Sequence, residues 1–186
     1  MSEEITADHD GKTSMEEYTL PTNPEGLVAA LVEGVTRFPA YRALVALGDA
    51  ALPAIRGGLK HDDWRVRKWS AMCLDQVADE AALADLVPLL RDPISQVRLW
   101  AVHSISCDHC KEDVSCPVDV VPHLIERIQV DGSIRVRRMA AIMLGTDYAD
   151  PRALPVLEGL LGEEDRRLRL HAENGLRRYR ELGLGS

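Results

Sequence analysis

A chain of 186 residues with 46% hydrophobic content is long enough for one continuous core. Aromatics make up only 4%, with Phe38 the single phenylalanine, and the dominance of Leu, Ala and Val favours helix-on-helix packing over a β-sandwich. The net charge of −8 is mostly local, because residues 1–25 hold seven acids against Lys12. The rest is near neutral and offers no basic stripe, so no nucleic-acid partner is expected.

Taken from the start, residues 1–25 read as an acidic, disordered leader and residues 26–186 as one domain. The opening Met-Ser-Glu-Glu lacks the basic-then-apolar pattern of a signal peptide. No stretch approaches the ~18 uninterrupted apolar residues of a membrane span. The expected compartment is the cytoplasm, where the four cysteines are better read as free thiols or metal ligands than as a disulfide framework. Residues 26–50 are less regular: LVAALVEGV and YRALVALGDAAL are helical in period but interrupted by Pro39, as a terminal capping unit would be.

Beyond that point two kinds of segment alternate. One kind starts at Ala51 (ALPAIRGGL), Ala82 (ALADLVPLL), Val120 (VVPHLIERI) and Ala153 (ALPVLEGLL). Pro53, Pro122 and Pro155 lie near the starts, where a missing N–H costs a helix little; Pro88 lies deeper and predicts a kink or a late start. The other kind starts at Trp64 (WRVRKWSAMCL), Ser95 (SQVRLWAVHSI), Ile134 (IRVRRMAAIML) and Arg166 (RRLRLHAENGL). Its columns align as Val66, Val97, Val136 and Leu168, then Arg67, Arg98, Arg137 and Arg169. A small column follows, Ser70, Ala101, Ala140 and Ala172, and then a large one, Leu74, Ile105, Leu144 and Leu176. Apolar, small and large columns fall at i, i+4 and i+8, one stripe of a helix, and the small column admits a neighbouring helix. From Leu52 to Val66, Leu83 to Val97, Val121 to Val136 and Leu154 to Leu168 the intervals are 14, 14, 15 and 14. The return intervals are 17 (Val66 to Leu83), 24 (Val97 to Val121) and 18 (Val136 to Leu154). Two helices recurring about every 31 residues define an α-solenoid, in which stacking buries what no pair buries alone.

The D-x-x-VR-x-x-A pattern resembles the HEAT-like repeat family, in its short form with the phycobilisome-lyase type of repeat, over residues 40–180. The resemblance implies an all-α, right-handed superhelix of about four helix pairs plus a terminal helix from Arg166. It also implies that the second helices of the pairs line the concave face, which puts Trp64, Trp69 and Trp100 in the core or on the convex side. Aspartates and glutamates before each first helix (Asp62, Asp63, Asp92, Asp131, Glu164, Asp165) can cap it. The Arg column beside them admits two readings: a ladder for phosphate or acidic peptides, or an internal ladder bonded to acids and carbonyls of neighbouring units. Their register favours the internal one.

No catalytic motif stands out. Walker-type loops, H-E-x-x-H, G-x-S-x-G and G-x-G-x-x-G are missing, and so are the His-Glu pairs by which HEAT-like deoxyhypusine hydroxylases bind iron. His171 reads as a packing residue. The expected function is therefore non-catalytic: a protein-binding adaptor or scaffold using the concave face, with Asp85, His123, Glu126, Arg127 and Glu158 as candidate contacts. The alternative is a lyase-like or maturation factor handling a chromophore or modified side chain.

The interval of 24 contains an insertion at about 106–117, CDHCKEDVSC in sequence, with three of the four cysteines. Cys107 and Cys110 form a Cys-x-x-Cys turn, Cys116 returns as a third thiol, and His103 lies one helical turn ahead. The expectation is one structural zinc on Cys107, Cys110, Cys116 and His103, with His109 and His123 as rival fourth ligands. Free thiols and a redox pair remain the alternatives, and Cys73 reads as a small core residue.

Overall fold

A computed structural model describes residues 19–107, 110, 114 and 116–184. Among these residues the secondary structure is helical throughout. Helix α1 (Pro24–Ala29) opens on an Asn23 cap and packs on α2 (Arg37–Leu47). It starts two residues before the expected domain boundary at 26, and residues 1–18 lie outside the described part. Pro39 does not separate two helices as the sequence suggests: it sits in the first turn of α2, where its missing N–H is tolerated.

Four helix pairs and a closing helix follow from there. The first pair is α2 with α3 (Leu52–Gly58), and the second is α4 (Trp64–Val77) with α5 (Glu80–Ala84). The third is α6 (Ser95–Ser106) with α7 (Val121–Val130), and the fourth α8 (Ile134–Thr146) with α9 (Leu154–Gly159). The closing helix is α10 (Arg166–Glu181). Around Pro88 the chain changes from α5 to a 3-10 turn at Val87–Arg91, the predicted break.

First helices pack directly on one another, α4 on α6, α6 on α8 and α8 on α10. The reason is visible in the columns. Val66, Val97, Val136 and Leu168 are fully buried, as are Ser70, Ala101, Ala140 and Ala172, whose short side chains bring the helix axes together. Each fully buried Val or Leu contributes roughly 1.5–3 kcal/mol relative to exposure, so the stripes are the main source of cohesion. The three tryptophans are half-buried and pack against this core, Trp69 edge-on to Tyr41.

At the turns the acids do what their positions predict. Asp63, Asp92, Asp131 and Asp165 each accept a backbone N–H at a first-helix start, from Arg65, Ile94, Ser133 and Leu168. The Arg column resolves in favour of the internal ladder. Arg67 forks Asp92 of the next unit (2.7 and 3.1 Å), and Arg98 forks Asp131 (2.7 and 2.8 Å). Arg137 pairs with Glu163 and donates to the Ile128 carbonyl. At the far end Tyr179 is fully buried; its hydroxyl donates to the Leu144 carbonyl (2.9 Å) and accepts from the Asp150 N–H (2.9 Å), clasping α10 to the preceding unit.

Candidate metal centre and binding face

Helix α6 ends at the insertion. The Cys107 N–H donates to the His103 carbonyl (2.9 Å), which closes the helix and sets both side chains on one side of its last turn. Cys110 then returns so that its sulfur lies 3.0 Å from that of Cys107 and 3.9 Å from His103 Nε2. A fourth group comes from elsewhere: Asp75, in the last turn of α4, places Oδ2 3.4 Å from His103 Nε2. Gln76 donates to the same oxygen (3.2 Å). One ligand atom from each of Asp75, His103, Cys107 and Cys110 lies within 4.8 Å of all the others.

The surroundings are dry on several sides. Asp75 and Cys107 are buried, and His103 and Cys110 half-buried. Trp100 stands edge-on to the His103 ring (5.3 Å between centroids), beside an apolar cleft of about 100 Å³ that Leu99 and Met139 complete. Tyr41 borders the cluster, its phenol pushed up first by burial and then by the neighbouring Cys73, Asp75 and Cys110. Burial, followed by bonding to Cys107 and Asp75, pushes the Cys110 thiol up to about 12. A redox or nucleophilic cysteine needs the opposite setting, electropositive and exposed. Cys73 is likewise pushed up to about 12 by burial alone and is a core residue, as its column predicted.

Of the zinc ligands expected from sequence, His103, Cys107 and Cys110 come together. Cys116 is half-buried against the core and is not one of the four. His123 lies half-buried on α7, outside the group, and His109 lies outside the described residues. Asp75 is not among the residues singled out from the sequence: its column holds Ser106, Gly145 and Arg177, and no recurring pattern marks it.

The second-helix face carries its own charge pairs between units. Arg56 of α3 meets Asp85 (2.5 Å), Arg91 meets Glu126 of α7 (2.7 Å), and Arg152 meets Asp119 (2.5 Å). Arg91 draws the Glu126 carboxyl below its ordinary range by hydrogen bonding, and Arg152 does the same to Asp119. Among the candidate contacts, Asp85 and Glu126 sit in these pairs, His123 is half-buried and Glu158 exposed. Arg127 is only 7% exposed; it binds Glu126 (2.8 Å) and Asp131 (3.4 Å), tying α7 to the turn that follows. Between α3 and α5 the face opens into a polar groove of about 660 Å³ with Asp49, Arg56, Lys60, Asp79 and Asp85 on its walls. No helix among the described residues is long and apolar enough to cross a membrane.

A layer of first helices tied by Arg–acid rungs and faced by a layer of second helices defines a helical repeat protein. The HEAT-repeat profile matches residues 24–106 and 119–182, most of the chain, and the protein belongs to that family. The interruption between the matched spans falls on the cysteine insertion. No curated protein matches the chain by sequence. Among solved structures it is similar to the complex of CpcE and CpcF of phycocyanin lyase from Nostoc sp., at 20% identity and a TM-score of 0.57, over 94% of this chain and 69% of that one. It is also similar to a designed armadillo repeat protein in complex with the peptide (KR)4, at 18% identity and 0.56, over 82% and 80%. An engineered protein from a structural genomics consortium matches at 21% and 0.57, over 87% and 80%. At these identities the likeness is one of fold.

Proposed function

We propose that this protein is a non-catalytic scaffold that takes a protein partner on its second-helix face. The observation that carries the reading is the groove between α3 and α5 with its charged walls, on a face that also carries the charge pairs Arg91–Glu126 and Arg152–Asp119. These pairs are exposed, and exposed ion pairs contribute little to a fold, typically about 0–1 kcal/mol each. They can therefore open toward a partner's charges at small cost, and their alternating sign favours a polypeptide carrying both charges over nucleic acid. Support from the comparisons is of one kind: the designed armadillo protein holds a peptide and CpcE is found with CpcF.

Affinity capture from the native cell extract tests the reading. The expected result is one stoichiometric protein partner, released by the paired reversals Lys60→Glu and Asp49→Lys with thermal stability unchanged. Capture that persists through both reversals and through Glu158→Lys removes this face from the interaction. Protein from its own host that carries a visible chromophore would replace this reading with the lyase-like one.

A further inference from the structure

Toward the C-terminal ends of the first helices one column varies: Asp75 on α4 stands where α6 has Ser106, α8 has Gly145 and α10 has Arg177. Asp75 is 5% exposed, and a carboxylate held out of water costs several kcal/mol unless its surroundings answer its charge. The acids Asp92 and Asp131 meet this demand with Arg forks. Among the groups around Asp75 are the Gln76 amide, an imidazole and two sulfurs.

His103 is equally unlike a satisfied core histidine. Among the described residues its buried Nδ1 has no hydrogen-bond partner, and its Nε2 meets the Asp75 oxygen at 3.4 Å, longer than a good hydrogen bond, and the Cys110 sulfur at 3.9 Å. Metal–ligand bonds of zinc imply ligand atoms about 3.3–3.8 Å apart in a tetrahedral shell. The oxygen–nitrogen spacing of 3.4 Å falls in that range, the nitrogen–sulfur spacing of 3.9 Å would close slightly, and the sulfurs, at 3.0 Å, would part by about 0.7 Å.

We infer that Asp75, His103, Cys107 and Cys110 together bind one zinc-class divalent cation, which staples α4 to α6 across the boundary between two repeats. Two thiolates, an imidazole and a carboxylate form a mixed set that suits zinc better than hard cations. Four protein ligands leave no position for water or substrate, so the cation is structural. The set differs from the one the insertion suggests by itself. A site on Cys107, Cys110, Cys116 and His103 would tie the insertion only to α6, whereas Asp75 brings in the preceding unit. In a solenoid, stability is a sum of unit terms and nearest-neighbour terms, and this cation adds to one neighbour term.

The full chain, purified after growth with zinc and then stripped by chelator, is titrated with Co²⁺ alone and with Zn²⁺ alone. One cation per chain is expected, with a thiolate-to-cobalt charge-transfer band of the intensity for two sulfurs. Asp75→Asn should weaken binding at least roughly 100-fold, more than losing an outer-shell partner costs, and Cys116→Ser should leave it unchanged. Hydrogen exchange on zinc addition should slow in the last turn of α4 as well as at the end of α6. Circular dichroism separates lost metal from lost fold, and the cobalt spectrum and the exchange pattern of the unsubstituted chain stand even where Asp75→Asn misfolds. Three-sulfur intensity, metal lost in Cys116→Ser, protection confined to the loop after Cys107, or no binding at all would each overturn the assignment.

Discussion

Along the turn edge of the first-helix layer the three interfaces from α4 to α10 use one device: Arg67 to Asp92, Arg98 to Asp131, Arg137 to Glu163. Along the opposite edge no device recurs. Between α4 and α6 that edge holds Asp75, His103 and two cysteines, whereas between α8 and α10 it holds bare backbone. There Gly145 and Gly175 face each other so closely that a Cβ on either would stand 2.9 Å from the other's Cα. The repeated edge maintains the stack, and the variable edge is where this chain departs from a generic solenoid. Both the insertion and the buried acid lie on it, one unit apart.

The largest effect should come from the most enclosed rung. Asp131 has a fully buried side chain, accepts from Arg98 and Arg127 and takes the Ser133 N–H in the turn before α8. Asp131→Ala leaves Arg98 without its carboxylate and Arg127 with Glu126 alone, and should cost about 3–5 kcal/mol in urea denaturation. A cost below about 1 kcal/mol would mean the rungs are surface pairs. The pH dependence follows the same bonds. Burial pushes the Asp131 carboxyl up, but Arg98, the Ser133 N–H and the charge of Arg127 outweigh it and hold the group below its ordinary value. Its contribution is therefore full above the unfolded carboxyl range near ~3.9 and is lost as pH falls below that through the folded value. The stability gap between the natural chain and Asp131→Asn should narrow on that descent. A gap that stays constant in acid would show that another group carries the pairing.

The opposite edge is tested by filling it. Gly145→Val would drive a branched side chain into the backbone of α10, at a cost of about 3 kcal/mol measured by chemical denaturation. Melting indistinguishable from the natural chain would mean that α8 and α10 separate freely at this point. Between the two edges, Ala140 is fully buried in the small column. Ala140→Leu should cost roughly 1–3 kcal/mol in thermal melting. An unmoved transition would shift the register of the whole stripe by at least one position.

How much of this was legible follows from repetition. The buried stripes and the Arg–acid ladder could be read because each column recurs in four units, so one residue's role was checked by three others. Pro39 was misplaced because the capping unit has no sister copies to align with it. Asp75 was invisible for the complementary reason: its partners lie on another helix, 28 and more residues away, and its own column varies from Ser106 to Gly145 to Arg177. Periodicity identifies faces, but it does not tell which side chains of adjacent units meet. Arg127 shows the same limit, since its long side chain folds back onto Glu126 and Asp131 from a position that counting places on an open face.

The smallest effect should come from the last rung. Glu163 has a third of its side chain exposed (33%), against none for Asp131, and Arg137 reaches it with one nitrogen while giving the other to the Ile128 carbonyl. Removing the carboxylate leaves Arg137 with water and that carbonyl, so no charge is stranded. A second tie also stays in place beside it, because Arg138 forks Asp165, whose carboxyl it holds down at about 2 chiefly by hydrogen bonding. Glu163→Ala should thus cost about 0–1 kcal/mol, the range of exposed pairs, and less still at high salt. Denaturant midpoints for Glu163→Ala and Asp131→Ala, measured side by side, decide the matter. Equal losses would show that the rungs are interchangeable links; a small loss at Glu163 beside a large one at Asp131 would show that burial sets the strength of each.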